Sequence, residues 1–254
     1  MVKRITKKEV IKTETRTRAR RLDVLKKFLG LSHAAYAVHD VFSRLPGAIR
    51  QTGEDGIGFV YVPSRRPSPV LMVAHADVIG GDECQVRLSE DDWTIRNPGR
   101  VLGADDRAGC AIIWALRDIG HGILITDGEE CGCLGAEDIM VRQPEFHDEL
   151  QHHYQFMVEF DRKGGGEYKC YNVGTEAFRG YIEAMTGFHE PDRRSRTDIT
   201  ILARDICGVN LSCGYMKQHT NNEYIVKRDW LDTLHVAEKW LSAKDLPRFE
   251  QKAL

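Results

Sequence analysis

Apolar residues recur along this chain with two periods, one helical and one strand-like, and the two alternate. Leu22, Leu25, Phe28 and Leu29 fall at helical spacing, which predicts a helix over 20–31 with Gly30 placed to end it. A second helix is expected over 32–45, stopped by Pro46-Gly47. Apolar runs at 57–62 and 69–74 read as strands, divided by a turn-rich segment from Pro63 to Pro69. Residues 85–88 and 93–96 read as a short antiparallel pair. From 106 to 119 a helix places Ala108, Ala111, Ile112, Ala115 and Ile119 on one face. There follow a strand at 122–126, a helix at 134–141, a strand at 155–160, a helix at 175–185 and strands at 198–202 and 207–212. An amphipathic helix over 226–241 carries Trp230, Leu231, Leu234, Ala237, Trp240 and Leu241. Strands alternating with helices predict an α/β three-layer sandwich with a mixed, mainly parallel central sheet flanked by helices.

Composition narrows the class without changing that picture. At 254 residues, 42% hydrophobic and 29% charged, the chain can bury an ordinary core without disulfides. Its apolar runs, such as Ala108 to Leu116, are too short to span a bilayer, so no membrane partner is expected. The first residues show no apolar signal region, and seven cysteines without a Cys-x-x-Cys spacing read as reduced thiols. A cytoplasmic location is the expectation that follows.

The formal net charge of −2 is unevenly spread. Residues 1–29 hold eleven Lys/Arg against three acidic residues, a net of +8, so the remainder carries −10. We expect a basic N-terminal arm over 1–21 and one catalytic domain over 22–254. Charge runs are usually solvated surface. A nucleic-acid partner is therefore disfavoured, and self-association of a basic arm with an acidic body is left open.

Several chemically capable residues fall just past the ends of apolar strands. His75 follows the run ending at Ala74, Glu129 and Glu130 follow 123–126, and Asp161 follows 156–160. In open α/β sheets, ligands gather outside the carboxyl ends of strands, so these groups could share one crevice. Carboxylates and imidazoles are donors for zinc and similar divalent ions. Asp77, two residues beyond His75, points the same way in extended chain and could fix the imidazole tautomer. Asp105 opens a helix, and its two oxygens could bridge two metals. Asp161 could complete the first metal's shell, and Glu130 and His219 the second. Three carboxylates against two divalent ions leave a net positive centre that favours bound hydroxide. Glu129 would then be free to act as general base on that water. Each residue taken singly has a blander reading: a chance His-x-Asp, a helix cap, a solvated pair, a strand-end turn, a surface histidine. Their order and placement argue together.

At these residues the chain resembles the co-catalytic di-zinc exopeptidases, a superfamily that includes peptidase T, bacterial leucyl aminopeptidases, carboxypeptidase G and the tetrahedral aminopeptidases. The likeness rests on the order His75-x-Asp77, Asp105, Glu129-Glu130, Asp161, His219. It is closest in the phrases Leu102-Gly-Ala-Asp-Asp-Arg-Ala-Gly109, Gly128-Glu-Glu-Cys-Gly-Cys-Leu-Gly-Ala136 and His219-Thr-Asn-Asn-Glu-Tyr224. The resemblance implies two divalent metal ions, with zinc the first choice and cobalt or manganese the alternatives. Asp105 would bridge them and be followed by a cis peptide. His75 and Asp161 would hold one ion, Glu130 and His219 the other, and Glu129 would be the base. Asp198, in Arg196-Thr-Asp-Ile199, resembles a structural element rather than a ligand.

Many relatives carry an inserted lid or dimerisation domain. Here 29 residues separate His75 from Asp105 and 36 separate Asp161 from Asp198. Neither gap can hold a domain of about 50 residues. The single-domain aminopeptidase branch is the nearer architecture, which puts the family's lid-supplied oxyanion donor in question. Tyr215 and Tyr224 flank His219 and are candidates. Substrate selection then falls to loops at 79–83, 163–174, 187–195 and 213–222. The expected reaction is cleavage of a terminal peptide or amide bond in a small substrate, with an aminopeptidase first. The alternatives are a carboxypeptidase or N-acyl amino acid deacylase, for which Arg193, Arg194 and Arg196 could bind a carboxylate, or a catalytically silent peptide- or protein-binding homologue. Cys131 and Cys133, beside the glutamates, are expected to be small buried residues, and His152-His153 a solvated connection.

Overall fold

The computed structural model describes residues 7–53, 56–80, 86–191 and 196–251. Two helices come first, α1 (Lys7–Leu29) and α2 (Ala35–Phe42), followed by the strands β1 (Ile49–Thr52), β2 (Gly58–Val62) and β3 (Leu71–His75). A short hairpin, β4 (Ser89–Glu90) and β5 (Thr94–Arg96), precedes α3 (Ala104–Leu116) and β6 (Gly122–Thr126). Next come α4 (Leu134–Arg142), α5 (Pro144–His153), β7 (Met157–Arg162), β8 (Tyr168–Lys169), α6 (Glu176–Thr186) and α7 (Ile199–Leu202). The chain closes with β9 (Gly208–Ser212), β10 (Tyr215–Met216), β11 (Tyr224–Val226) and α8 (Lys227–Leu241).

The main sheet has seven strands in the order β1-β2-β6-β3-β7-β9-β8. Its centre, β6-β3-β7-β9, is parallel, and the flanking β1, β2 and β8 run antiparallel. A second, four-stranded antiparallel sheet has the order β10-β11-β5-β4. Every residue of β3 is buried, and successive side chains enter opposite cores. Met72 and Ala74 join the cluster under α1, α2, α3 and α8, while Leu71 and Val73 join the one under α4, α5 and α7. Strand β6 divides the same way, with Ile123 and Ile125 on one side and Leu124 on the other. This alternation is the physical content of the three-layer sandwich that the sequence predicts.

The topology places the site. The crossover from β3 through α3 lands β6 on one side of β3, and the next crossover lands β7 on the other. Strand order therefore reverses at β3, and a crevice opens beyond the carboxyl ends of β3, β6 and β7. Helix α3 crosses close above β7. A Cβ at Gly109 would lie 1.9 Å from the Phe160 carbonyl oxygen and 2.6 Å from the Asp106 carboxylate, so only glycine permits the approach.

Some expectations change. Residues 199–202 form helix α7 rather than a strand: Ile199 and Leu202, three apart, share one buried face against the second core. The β-branched run reads locally as a strand, and packing overrides it. Pro144 opens α5 at its first turn, so His152 and His153 end a helix rather than lie in a connection. Helix α1 begins at Lys7, well before its apolar period starts. The pair expected at 85–88 and 93–96 is the hairpin at 89–90 and 94–96.

Candidate metal centre

His75 ends β3 with its ring 1% exposed, enclosed by carboxylates. Its Nδ1 lies 3.2 Å from Asp77 Oδ1, and its Nε2 lies 3.2 Å from Asp105 Oδ1 and 3.6 Å from Asp161 Oδ1. Asp77 has a second task. Its two oxygens accept the backbone N–H groups of Glu129 and Glu130, each at 3.1 Å. One carboxylate thus orients the imidazole of β3 and fixes the turn beyond β6.

Asp105 stands ahead of the regular turns of α3, at φ −81° and ψ 103°, with a cis peptide to Asp106 as the resemblance implies. The consecutive aspartates separate in role. Asp105 lines the cavity, whereas Asp106 is fully buried beneath it, accepting from Gly109 N at 2.9 Å and from His75 N at 3.4 Å. Asp105 Oδ1 faces His75 and its Oδ2 faces His219, both at 3.2 Å from an Nε2. Glu130 Oε1 lies 2.6 Å from the same His219 Nε2. Asp161, near the end of β7, accepts from Tyr215 Oη at 3.0 Å and from Thr197 Oγ1 at 2.9 Å. Asn210 on β9 receives its backbone N–H at 2.8 Å.

The donor set fits divalent metal. Two ligands about 2.1 Å from one tetrahedral ion stand about 3.4 Å apart, and of the four imidazole–carboxylate separations among the expected ligands three, at 3.2, 3.2 and 3.6 Å, lie near that value. Glu130 Oε1 is buried and accepts no hydrogen bond although His219 is beside it. At His219 the facing atoms of Asp105 and Glu130 converge without hydrogen-bond alignment, which suits a shared cation better than each other. One atom each from His75, Asp105 and Glu130, and one each from His75, Glu129 and Asp161, fall within 4.8 Å of one another. Glu129 therefore sits nearer the donors than an unligated base requires.

The electrostatics show the same shortage of positive charge. Burial opposes the charged form of His75, but Asp161, Asp105 and Asp77 outweigh it and hold its pKa well above the usual imidazole range. Contacts with Asp105 and Glu130 lift His219 to about 10. Burial raises Glu129 to about 9, reinforced by the negative charge of Asp161, and raises Asp161 to about 7, reinforced by Asp105.

All six expected ligand and base residues converge here, and Asp77 supports them from behind. Asp105, Glu129, Glu130, Asp161 and His219 line one cavity of about 270 Å³, together with Arg162, Lys163, Tyr171, Arg196, Thr197, Tyr215 and Gln218. Asp198 is fully buried and pairs with Thr126 Oγ1 behind the site. Tyr215 lines the cavity but donates to Asp161. Tyr224 is outside it, 5.7 Å from the Arg96 guanidinium and 5.9 Å from the Lys217 ammonium, so the expectation that Tyr224 is an oxyanion donor is withdrawn. Cys133 is buried, but Cys131 is exposed, because the turn after Glu130 projects it outward. Arg193 and Arg194, and parts of the loops at 79–83 and 187–195, lie outside the described residues.

Sequence reasoning missed Glu223. Its buried carboxylate accepts the backbone N–H groups of Leu102 at 2.9 Å, Gly103 at 2.8 Å and Asp105 at 3.1 Å. It fixes the loop that presents Asp105. The only signal was its place in His219-Thr-Asn-Asn-Glu223, which shows no role by itself.

No protein-family model matches the chain, and no curated protein does. Solved structures do. A tripeptidase from Staphylococcus aureus aligns at a TM-score of 0.65 and 14% identity, over 89% of this chain and 99% of that one. Aminopeptidase PepT from Bacillus cereus aligns at 0.62 and 13%, over 89% and 98%. Aminopeptidase APDkam598 from the archaeon Desulfurococcus kamchatkensis aligns at 0.61 and 13%, over 89% and 95%. The chain has the fold of these peptidases.

Proposed function

We propose that this chain is a dinuclear metallohydrolase that removes a residue from the amino end of a short peptide. The observation that carries the reading is Asp105, whose two oxygens each stand 3.2 Å from a different imidazole Nε2. One carboxylate between two imidazoles is the arrangement a bridging ligand needs. His75 and Asp161 would hold one ion, and Glu130 and His219 the other, with zinc the preferred metal for this mixed nitrogen and oxygen set. Bound there, the ions would supply a water of lowered pKa and polarise the scissile carbonyl. Glu129 takes the proton of the attacking water and returns it to the leaving amine. Asp77 keeps the His75 tautomer fixed by accepting at Nδ1. The resemblance of the motifs and the shared fold support the peptidase reading over other amide hydrolyses.

The six described cysteines that carry free thiols support a reducing compartment, which we take to be the cytoplasm. No helix among the described residues is long and apolar enough to cross a membrane.

The test is metal content together with matched peptides. Protein purified without chelator should carry about two divalent ions per chain. It should cleave a free peptide and its C-terminal amide, but not the N-acetylated form. Absence of tight divalent binding in a saturating titration overturns the dinuclear centre. Cleavage of the acetylated peptide alone overturns the aminopeptidase in favour of a carboxypeptidase or deacylase. Peptide binding without turnover on any substrate identifies a silent homologue.

A further inference from the structure

The cavity has two electrical ends. Its floor is carboxylate, and three cations, Arg162, Lys163 and Arg196, stand in its wall. Two of them are engaged. Arg162 is buried and paired with Glu167 at 3.1 Å, and Arg196 is paired with Glu137 at 2.5 Å. Among the described residues, Lys163 is paired with no carboxylate, and it is exposed at the cavity mouth.

The backbone on both sides of Lys163 is fixed. Cys213 N donates to the Arg162 carbonyl at 2.8 Å, Gly164 N donates to the Tyr215 carbonyl at 2.9 Å, and Gly214 N donates to the Gly164 carbonyl at 2.8 Å. The lysine is therefore held on a braced strand end, two residues beyond Asp161. A cavity of about 270 Å³ is at the small end of ligand sites, which usually run from about 300 to 1,000 Å³.

On the reading of this cavity as a peptide site, we propose that Lys163 binds the terminal carboxylate of the substrate. The chain is thus selective for very short peptides, whose terminal carboxylate reaches the cationic mouth while the reacting end lies over the carboxylate-held centre. The preference is set by the catalytic domain itself. A longer peptide places its carboxylate beyond the reach of Lys163 and loses this contact, and an amidated dipeptide loses it at full fit.

The experiment is calorimetric binding of leucylglycine, its C-terminal amide and its N-acetyl derivative to the metal-loaded Glu129→Gln protein, with and without Lys163→Met. An ion pair at a solvated rim is modest, so leucylglycine should bind about fivefold more tightly than its amide. Lys163→Met should remove that difference by weakening leucylglycine alone, and Lys163→Arg should restore it. The difference should shrink at about 1 M salt. Equal binding of acid and amide, including binding of neither, overturns the proposal, as does equal weakening of both by Lys163→Met. Equal binding of the N-acetyl derivative and free leucylglycine would instead overturn the amine-end reading while leaving the carboxylate contact standing.

Discussion

The two histidines of the centre are held in opposite ways. His75 ends a central strand, is 1% exposed, and has Asp77 fixed behind its Nδ1. His219 lies on the loop after β10, at φ 62° and with its side chain 37% exposed, and its ion-pair contacts run from Nε2 to Asp105 and Glu130. A carboxylate behind a ligating imidazole fixes its orientation and raises its basicity. The His75 half is therefore preorganised by the sheet, and the His219 half is assembled from a loop. On the proposed dinuclear reading, a bridging Asp105 would not make the two halves equivalent. The first should hold its ion more tightly, and the second should exchange with solvent more readily.

Four measurements would break or sharpen this contrast. The largest effect should come from Glu129, the proposed base, which lies with His75 and Asp161. Glu129→Gln keeps the shape and loses the proton acceptor, so turnover should fall by roughly 10²–10⁴ with metal content retained. Wild-type turnover in this variant would place the base elsewhere. Next, His219→Ala should leave about one tightly bound ion per chain, whereas His75→Ala should impair binding at the buried half. Metal analysis after dialysis reads the difference, and equal losses from both variants would erase the asymmetry.

Glu223→Ala should act at one remove, releasing the loop that presents Asp105. Outer-shell changes typically cost about 10- to 100-fold in metal affinity or activity. Glu223→Gln should do less, since an amide oxygen can still accept one of the three N–H groups. Unchanged metal affinity in the alanine variant would show that the loop holds its shape without Glu223.

The smallest effect concerns pH in the metal-free protein. Contacts with Asp105 and Glu130 raise His219 to about 10 in the folded chain, above its unfolded value of 6.5. The stability from that proton is complete below pH 6.5 and is lost as pH rises toward 10. The side chain is part-exposed, so the contribution should be at most about 1 kcal/mol. Chelated protein should lose thermal stability over that window. His219→Gln, or metal saturation, should flatten the slope, and an unchanged slope in the variant would assign the effect to another group.

The layers and the order of the ligands were legible because both follow local rules. Apolar periodicity located β3, β6 and α8, and strand ends gave His75, Glu129, Glu130 and Asp161 one meeting place. What escaped depends on distant contacts. Residues 199–202 carry a strand-like Ile-Thr-Ile sequence, yet burial of Ile199 and Leu202 on one face sets a helix. Charged residues in the first part of α1 hid its start, because a helix without an apolar stripe leaves no period to read. Glu223 accepts only backbone N–H groups, a role that no spacing of side chains can reveal. Tyr215 was noticed for its closeness to His219 in sequence, but its hydroxyl is engaged by Asp161 from another strand.

Arg107 follows the paired aspartates and is fully buried, donating to the carbonyls of Ala76 at 2.6 Å, Ser32 at 2.7 Å and Ala34 at 3.3 Å. Among the described residues its guanidinium contacts no carboxylate directly; it stitches peptide groups. Those carbonyls belong to the turn between α1 and α2 and to the residue immediately after His75, so the α1–α2 segment is fastened to the floor of the candidate site by one side chain. This sets a boundary for shortening the molecule. Trimming the exposed turns of α1 removes little that Arg107 needs. Cutting past Ser32 and Ala34 strands a cation in the interior, and the damage would surface at Ala76, beside His75 rather than at the cut end.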